Sequence, residues 1–278
     1  MKIAVIGKNG QLASCLRAVA PRELEIPFYG SSEVDITNSE TYAPLKSADL
    51  IINCSAYTAV DKAEEYPEKA YAVNRMGIIQ LVQFCEEHQI KLIHFSTDFV
   101  FDGETGTPYT EENFTGPKSV YGASKLAGEE VILQSSLSTL VIRTSWLYSP
   151  FGHNFCKTML RFGSERSELS VVNDQIGTPT SALDLARTVF QIIEKGLPTG
   201  PEILHVSNSG QCSWAEFARE IFREKGLKIK VNNTTTEAFN AVAPRPKYSV
   251  LSTEKLLFTY GFAMRPWKEA LKEVLKCL

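Results

Sequence analysis

The feature that most constrains this chain is an alternation. Through its first half, the short apolar runs KIAVIG, ELEIPFYG, ADLIINCSA, IKLIHFSTD and STLVIRTSW take turns with longer amphipathic stretches. Runs so rich in Ile, Val and Leu suit strands buried on both faces, and such strands belong to parallel sheets. Parallel neighbours need crossover connections, and helical crossovers then cover the two faces. The fold class expected is therefore α/β, a doubly wound parallel sheet of the Rossmann type. Helices are expected over Gln11 to Val19, over Pro67 to His88, and across SVYGASKLAGEE between the last two strands.

After Trp146 the texture changes. SPFGHNFCKTMLRFG reads as a loop and a helix, LSVVNDQIGTPT as a strand and a turn, and SALDLARTVFQIIEKG as a further helix. From Pro198 onward the elements are short and punctuated by Pro and Gly. Residues 1–147 are thus expected to form the main domain, and 148–169 with 197–278 a smaller C-terminal lobe. Within 170–196, the strand near Val171 and the helix from Ala182 are expected to return to the main sheet.

Bulk properties exclude several function classes. With 278 residues, a net charge of −3 and a pI near 5.9, the chain is not built to lie on nucleic acid or on a membrane surface. No apolar run approaches the roughly 20 residues a bilayer-spanning helix needs. The sequence starts directly on a strand, with no leader pattern before it. Its six cysteines, Cys15, Cys54, Cys85, Cys156, Cys212 and Cys277, are scattered singly, and its four histidines are isolated. No metal-ligand spacing results, so the expectation is a reduced, cytoplasmic enzyme without structural zinc. Cys54 and Cys85 sit in apolar contexts and read as small buried hydrophobes.

Two local patterns carry chemistry. VIGKNGQLA places Gly7, Gly10 and Ala13 at three-residue intervals, directly after a strand and at the start of a helix. A tight turn there lets backbone N–H groups approach a pyrophosphate, and the helix N-terminus adds partial positive charge. The second strand ends in FYGSS, without the carboxylate that usually grips a ribose 2′-hydroxyl. With Lys8 in the turn, this favours NADPH, NADH being the second candidate. Asp35 and Ile36 follow, where the carboxylate either meets the adenine or opens the next helix with Thr37. The other pattern is Tyr121 and Lys125, just over one helical turn apart and so on one helix face. Their spacing alone leaves open whether they are a reactive pair or two members of an amphipathic stripe.

Together GKNGQLA, DITN, NCSAYTAVDKAE, STDFVFDG, YGASKLAGE, RTSWLY, NFCKTML and VVNDQIGTPT resemble the dTDP-4-dehydrorhamnose reductase family of extended short-chain dehydrogenase/reductases. The resemblance runs from residue 1 to about residue 215 and continues weakly through PRPKYSVL. It implies that Tyr121 is the proton donor, Lys125 its partner and a hydrogen-bond donor to the nicotinamide ribose, so that both also touch the cofactor, and Thr97 the hydroxyl that orients the substrate carbonyl. It further implies that Gly10, Gln11 and Leu12 meet the cofactor pyrophosphate, beside Gly7 and Lys8 of the same turn, with Asp35 and Ile36 near the adenosine. Ala56, Tyr57 and Thr58 then line the nicotinamide side. Thr97, Asp98 and Trp146 contact the sugar, and Arg245 clamps the substrate pyrophosphate, a role suited to its planar fork. Three positions depart from the family pattern: Phe99 stands where a Tyr is usual, Ser55 where Ala is common, and Leu183 where some members place a metal-binding Glu.

The implied reaction is NAD(P)H-dependent reduction of the C4 ketone of dTDP-4-dehydro-β-L-rhamnose to dTDP-β-L-rhamnose, the last step in making that nucleotide sugar. A nearby ammonium lowers the cost of the phenolate that general acid catalysis leaves behind, and Thr97 adds a hydrogen bond where negative charge develops. No metal is needed. The partner is a small nucleotide-sugar substrate, and the chain is expected to be a monomer or homodimer. Two alternatives differ in class: a related nucleotide-sugar reductase or epimerase, and a non-catalytic binding subunit like that of methionine adenosyltransferase.

Overall fold

The computed structural model describes all 278 residues. Strand β1 (Ile3–Ile6) runs into helix α1 (Gln11–Val19), followed by β2 (Phe28–Tyr29) and β3 (Leu50–Asn53). Two short helices, α2 (Val60–Glu65) and α3 (Pro67–Tyr71), lead through a π-helical turn at Ala72–Met76 into α4 (Gly77–His88). Then come β4 (Lys91–Thr97), α5 (Val120–Leu133) and β5 (Thr139–Thr144). The sheet is wholly parallel, with β1 between β2 and β3. The chain therefore moves outward from β1 in both directions. The crevice beyond the carboxyl ends of β1 and β3 is the switch point where such folds bind ligands.

The second half begins with β6 (Leu147–Tyr148), α6 (Phe155–Glu165) and β7 (Glu168–Val172). After β8 (Ile176–Gly177) and β9 (Thr180–Ser181) come α7 (Ala182–Lys195) and β10 (Pro201–His205). The chain ends with β11 (Cys212–Ser213), α8 (Trp214–Glu224), β12 (Lys230–Thr234), α9 (Thr236–Phe239), α10 (Glu254–Tyr260) and α11 (Trp267–Lys276). Local sequence explains several boundaries. Asn154 caps α6 by accepting from Lys157 N–H, and Ser213 with Glu216 forms a capping box on α8. One apolar cluster lies on the α1–α7 face of the sheet and continues into the lobe, while a second fills the α4–α5 face. No helix is long and apolar enough to cross a membrane.

Three details of the expected layout need correction. The strand at Val171 does not return to the main sheet; β7 pairs in parallel with β12, inside the lobe. The sixth strand of the main sheet is instead β10, paired with β5 from Pro201↔Thr139 to His205↔Arg143, although it lies in the segment assigned to the lobe. The amphipathic helix α7 does pack on α1, and it is this crossover that delivers β10 to the sheet edge. Finally, ELEIPFYG contributes only Phe28 and Tyr29 as strand. Pro27 has no N–H to donate and joins the edge through its carbonyl alone, which accepts from Val5 N–H at 2.9 Å.

Candidate active site

The turn after β1 is shaped by Gly7, which has φ +87°. A Cβ there would sit 2.6 Å from Ser55 N, in the turn after β3, so glycine lets the two turns close on one another. Gly10 N–H donates to the Gly7 carbonyl at 3.0 Å and precedes α1, whose N-terminus carries no side-chain cap. The first-turn N–H groups of Gln11 and its neighbours have no partner within the helix, the arrangement that receives a phosphate. Leu12 is buried beneath the turn, while the Gln11 amide oxygen accepts from Ser149 Oγ and Asn154 Nδ2, both at 3.0 Å. Gln11 thus ties the turn to the loop after β6. A dinucleotide's pyrophosphate fits this cradle.

At the end of β2 the structure adds an acidic group that the strand's own sequence does not carry. FYGSS has no carboxylate, but the chain doubles back at Gly30 and brings Glu33 to the same place. The Glu33 carboxylate accepts from Gly30 N–H at 2.8 Å and pairs with Lys8 Nζ. Lys8 is therefore paired with an acidic group beside the end of β2. The Asp35 carboxylate caps its own turn, accepting from Thr37 N–H and Oγ1. It does not open the next helix, a 3₁₀ turn that starts at Ser39 and is capped by Asn38. Ile36 is buried beside it, its carbonyl accepting from Tyr42 at 2.6 Å.

Ala56, Tyr57 and Thr58 follow β3, as expected, and a residue that the sequence reading missed fixes them. The π turn widens the helix at Asn74 and points its amide inward. There it accepts from Tyr57 N–H at 2.9 Å and donates to the Tyr57 carbonyl and to Ser124 Oγ at 3.1 and 2.9 Å. Such turns frequently mark functional sites. Ser124 lies on α5 between Tyr121 and Lys125, so one side chain couples the expected nicotinamide wall to the Tyr/Lys helix.

Helix α5 is capped by Ser119, whose Oγ accepts from Gly122 N–H, while Glu64 of α2 accepts from Val120 N–H at 2.8 Å. Any side chain at Gly122 would run into the Phe99 carbonyl, so glycine allows α5 to approach the end of β4. Tyr121 is consequently brought against Thr97 and lies edge-on to Phe99, with ring centres 5.7 Å apart. Burial pushes its phenol up to about 12, opposed by the hydrogen bond to Thr97. Lys125 is fully buried, and burial pushes its ammonium down to about 8, against the pull of Glu129. Glu129 is itself held by Arg143 of β5 in a buried pair, with bonds of 3.0 and 2.6 Å. Asp98 is also buried, and burial pushes its carboxyl up to about 6. Thr97 Oγ1 donates to Asp98 Oδ1 at 3.1 Å, while Oδ2 has no partner.

Beside this group opens a cavity of about 720 Å³ between the sheet and the lobe, lined in part by Phe99, Trp146, Phe155, Trp214, Gln175 and Arg245. Trp146 stacks on Trp214 with ring centres 3.5 Å apart. Arg245 lines the wall but is already engaged: its Nη2 pairs with Asp61 Oδ2 at 2.8 Å, and Ala243 N–H donates to Asp61 Oδ1 at 3.0 Å. Asp61, on α2, straps the lobe loop across the crevice and was not expected from sequence. Leu183 is buried in the core. A proton donor, a buried lysine and a second hydroxyl thus lie together, with Phe99 between Tyr121 and a nucleotide-sized cavity, an arrangement suited to hydride transfer to a carbonyl.

The whole chain, residues 1–278, matches the family model described as the RmlD substrate binding domain. A dTDP-4-dehydrorhamnose reductase of Sinorhizobium fredii is 41% identical, over 100% of this chain and 98% of that protein. Among solved structures, a dTDP-4-dehydrorhamnose reductase from Clostridium acetobutylicum is similar with a TM-score of 0.94 at 41% identity, over 99% of both chains. One from Bacillus anthracis, in complex with NADP, has a TM-score of 0.94 at 37% identity, again over 99% of both.

Proposed function

This chain belongs to the dTDP-4-dehydrorhamnose reductase family, and on that premise we propose that it reduces the C4 ketone of dTDP-4-dehydro-β-L-rhamnose to give dTDP-β-L-rhamnose. The observation that carries the reading is the grouping of Tyr121 and buried Lys125 on one face of α5 with Thr97 at the end of β4, next to Phe99, which lines the cavity of about 720 Å³. NADPH, the cofactor suggested by the NADP-bound relative, supplies the hydride when bound at Gly7, Gly10 and Gln11.

Each residue has a defined task. Tyr121, its phenol pushed up to about 12, keeps its proton at Oη at neutral pH and offers it to the C4 oxygen. Thr97 Oγ1, now donating to Asp98, turns to the same oxygen as negative charge develops there. Lys125, one turn along the buried face of α5, lowers the cost of the phenolate when it carries a charge. The unpartnered Asp98 Oδ2 accepts a sugar hydroxyl, and Trp146 and Phe99 exclude water from the reacting face. Arg245 exchanges Asp61 Oδ2 for the substrate's diphosphate, whose oxygens its planar fork can bind in pairs. Incubation of the purified protein with this ketosugar nucleotide tests the reading: NADPH is consumed only in its presence. Turnover of a C4-hydroxyl epimer without net NADPH loss would identify an epimerase instead.

A further inference from the structure

Below Lys125 lies a buried chain of groups that the reaction scheme leaves unused. Lys125 Nζ is 3.0 Å from His94 Nε2 on β4. His94 Nδ1 is 3.0 Å from Asn53 Nδ2, at the end of β3. Asn53 Oδ1 accepts from Ser55 N–H at 2.9 Å and from Ser55 Oγ at 2.6 Å. His94, Asn53 and Lys125 are all sealed from solvent.

Donor and acceptor chemistry fixes the protons. A backbone N–H can only donate, so Ser55 orients the Asn53 amide, with its oxygen toward residue 55 and its nitrogen toward His94. An amide nitrogen also only donates, so His94 Nδ1 must be the bare, accepting nitrogen. Burial holds the ring neutral. The single ring proton is therefore on Nε2, the nitrogen that faces Lys125. Against an ammonium, that arrangement sets donor against donor, whereas a neutral amine accepts the N–H through its lone pair.

We propose that His94 is a positioning residue which, locked in the Nε2–H tautomer by Asn53 and Ser55, presents a donor to Lys125 and favours its neutral amine form. The proposal deepens the reductase reading and rests on it for its consequence in turnover. It means that Lys125 is not a permanent cation but changes charge within the working pH range. Its burial acts in the same direction. The other charged groups facing α5 do not reverse this. Glu129 favours the ammonium but is held by Arg143. Asp98 stands at the end of β4 and Glu64 at the N-terminus of α5. Glu68 and Lys69 of α3, Arg75 of the π turn, and Glu86, Glu87 and His88 of α4 are exposed.

The tautomer is read directly on the wild-type, full-length protein by ¹⁵N-histidine NMR, with His94 assigned among the four histidines by its loss in His94→Gln. The expected result is a protonated, pyrrole-type Nε2 and a bare, pyridine-type Nδ1 from pH 6 to 9. An Nδ1–H tautomer, or an imidazolium at pH 7, overturns the proposal. Asn53→Asp supplies the consequence. A carboxylate accepts both from Ser55 and from His94 Nδ1–H, so the ring inverts and Nε2 accepts from an ammonium. The Lys125 titration, followed at ¹³C-labelled Cε, should then rise by about one pH unit or more, and the limb of the kcat profile it governs should move the same way. No movement in a folded variant also overturns the proposal. Neither NMR experiment uses substrate, so an inactive protein with the Nε2–H tautomer would sink the reductase reading alone. An active one with Nδ1–H would sink this inference alone.

Discussion

Replacing Tyr121 by Phe separates a proton donor from a packed ring. The ring lies edge-on to Phe99 at 5.7 Å, a contact that phenylalanine keeps. What is lost is the hydroxyl, which lies near Thr97, and a single polar contact is worth at most about 0.5–1.5 kcal/mol net to the fold. Thermal unfolding should shift by only a few degrees. A positioned general acid is worth about 10²–10⁴-fold, roughly 3–5 kcal/mol of barrier. Single-turnover NADPH oxidation with saturating ketosugar nucleotide should slow on that scale, while cofactor affinity from fluorescence titration stays nearly constant. Lys125→Met should damage both quantities. The double variant should lose less than the sum, because the lysine acts partly through the tyrosine. A Tyr121→Phe protein that keeps more than about a tenth of the wild-type rate, with chemistry limiting, would refute the role.

Three further outcomes follow from the same site. Glu33→Gln frees Lys8 and removes the carboxylate beside the end of β2, so the KM for NADPH should fall relative to that for NADH; an unchanged ratio would remove the pair from cofactor choice. Asp98 is pushed up to about 6, so the folded protein holds a proton that the unfolded chain releases near 4. That contribution is full below about pH 4 and lost as pH rises through 6. Asp98→Asn should therefore unfold at higher denaturant than wild type at pH 7.5, by about 1–3 kcal/mol, with the difference closing toward pH 4; a constant difference across that range would show that the carboxyl is not the cause. Glu129→Gln leaves Arg143 buried without its counter-charge and should cost about 3–5 kcal/mol in urea unfolding, whereas a loss under 1 kcal/mol would show that the pair is compensated.

Much of this site was legible because its residues are close in sequence. Gly7 and Gly10 flank one turn, and Tyr121 and Lys125 share one helix face, so spacing puts each pair together while the resemblance supplies the roles. Residues fixed by chain reversal or by long-range packing were not legible. Glu33 reads as a loop acid until the turn at Gly30 folds it back to Lys8. Asn74 lies in an ordinary helical run, and only the π widening points its amide at Tyr57. His94 meets Lys125 across the α5–β4 interface, 31 residues away. Asp61 meets Arg245 only once the lobe has folded over the crevice. The strands behave alike: β1, β3, β4 and β5 announce themselves as apolar runs, whereas β7 and β10 are equally short and their partners are set by topology. Helix α7 carries the chain to the edge beside β5, so β10 joins the main sheet and β7 is left to pair with β12.

The most direct measurement of the central claim is the product itself. Purified full-length protein is incubated with dTDP-4-dehydro-β-L-rhamnose and NADPH deuterated at the transferable position, and the sugar is read by NMR. The account predicts one NADPH consumed per sugar, deuterium at C4 only, and the C4 configuration of β-L-rhamnose. No NADPH loss with correctly folded protein, deuterium elsewhere on the ring, or the opposite C4 epimer would contradict it.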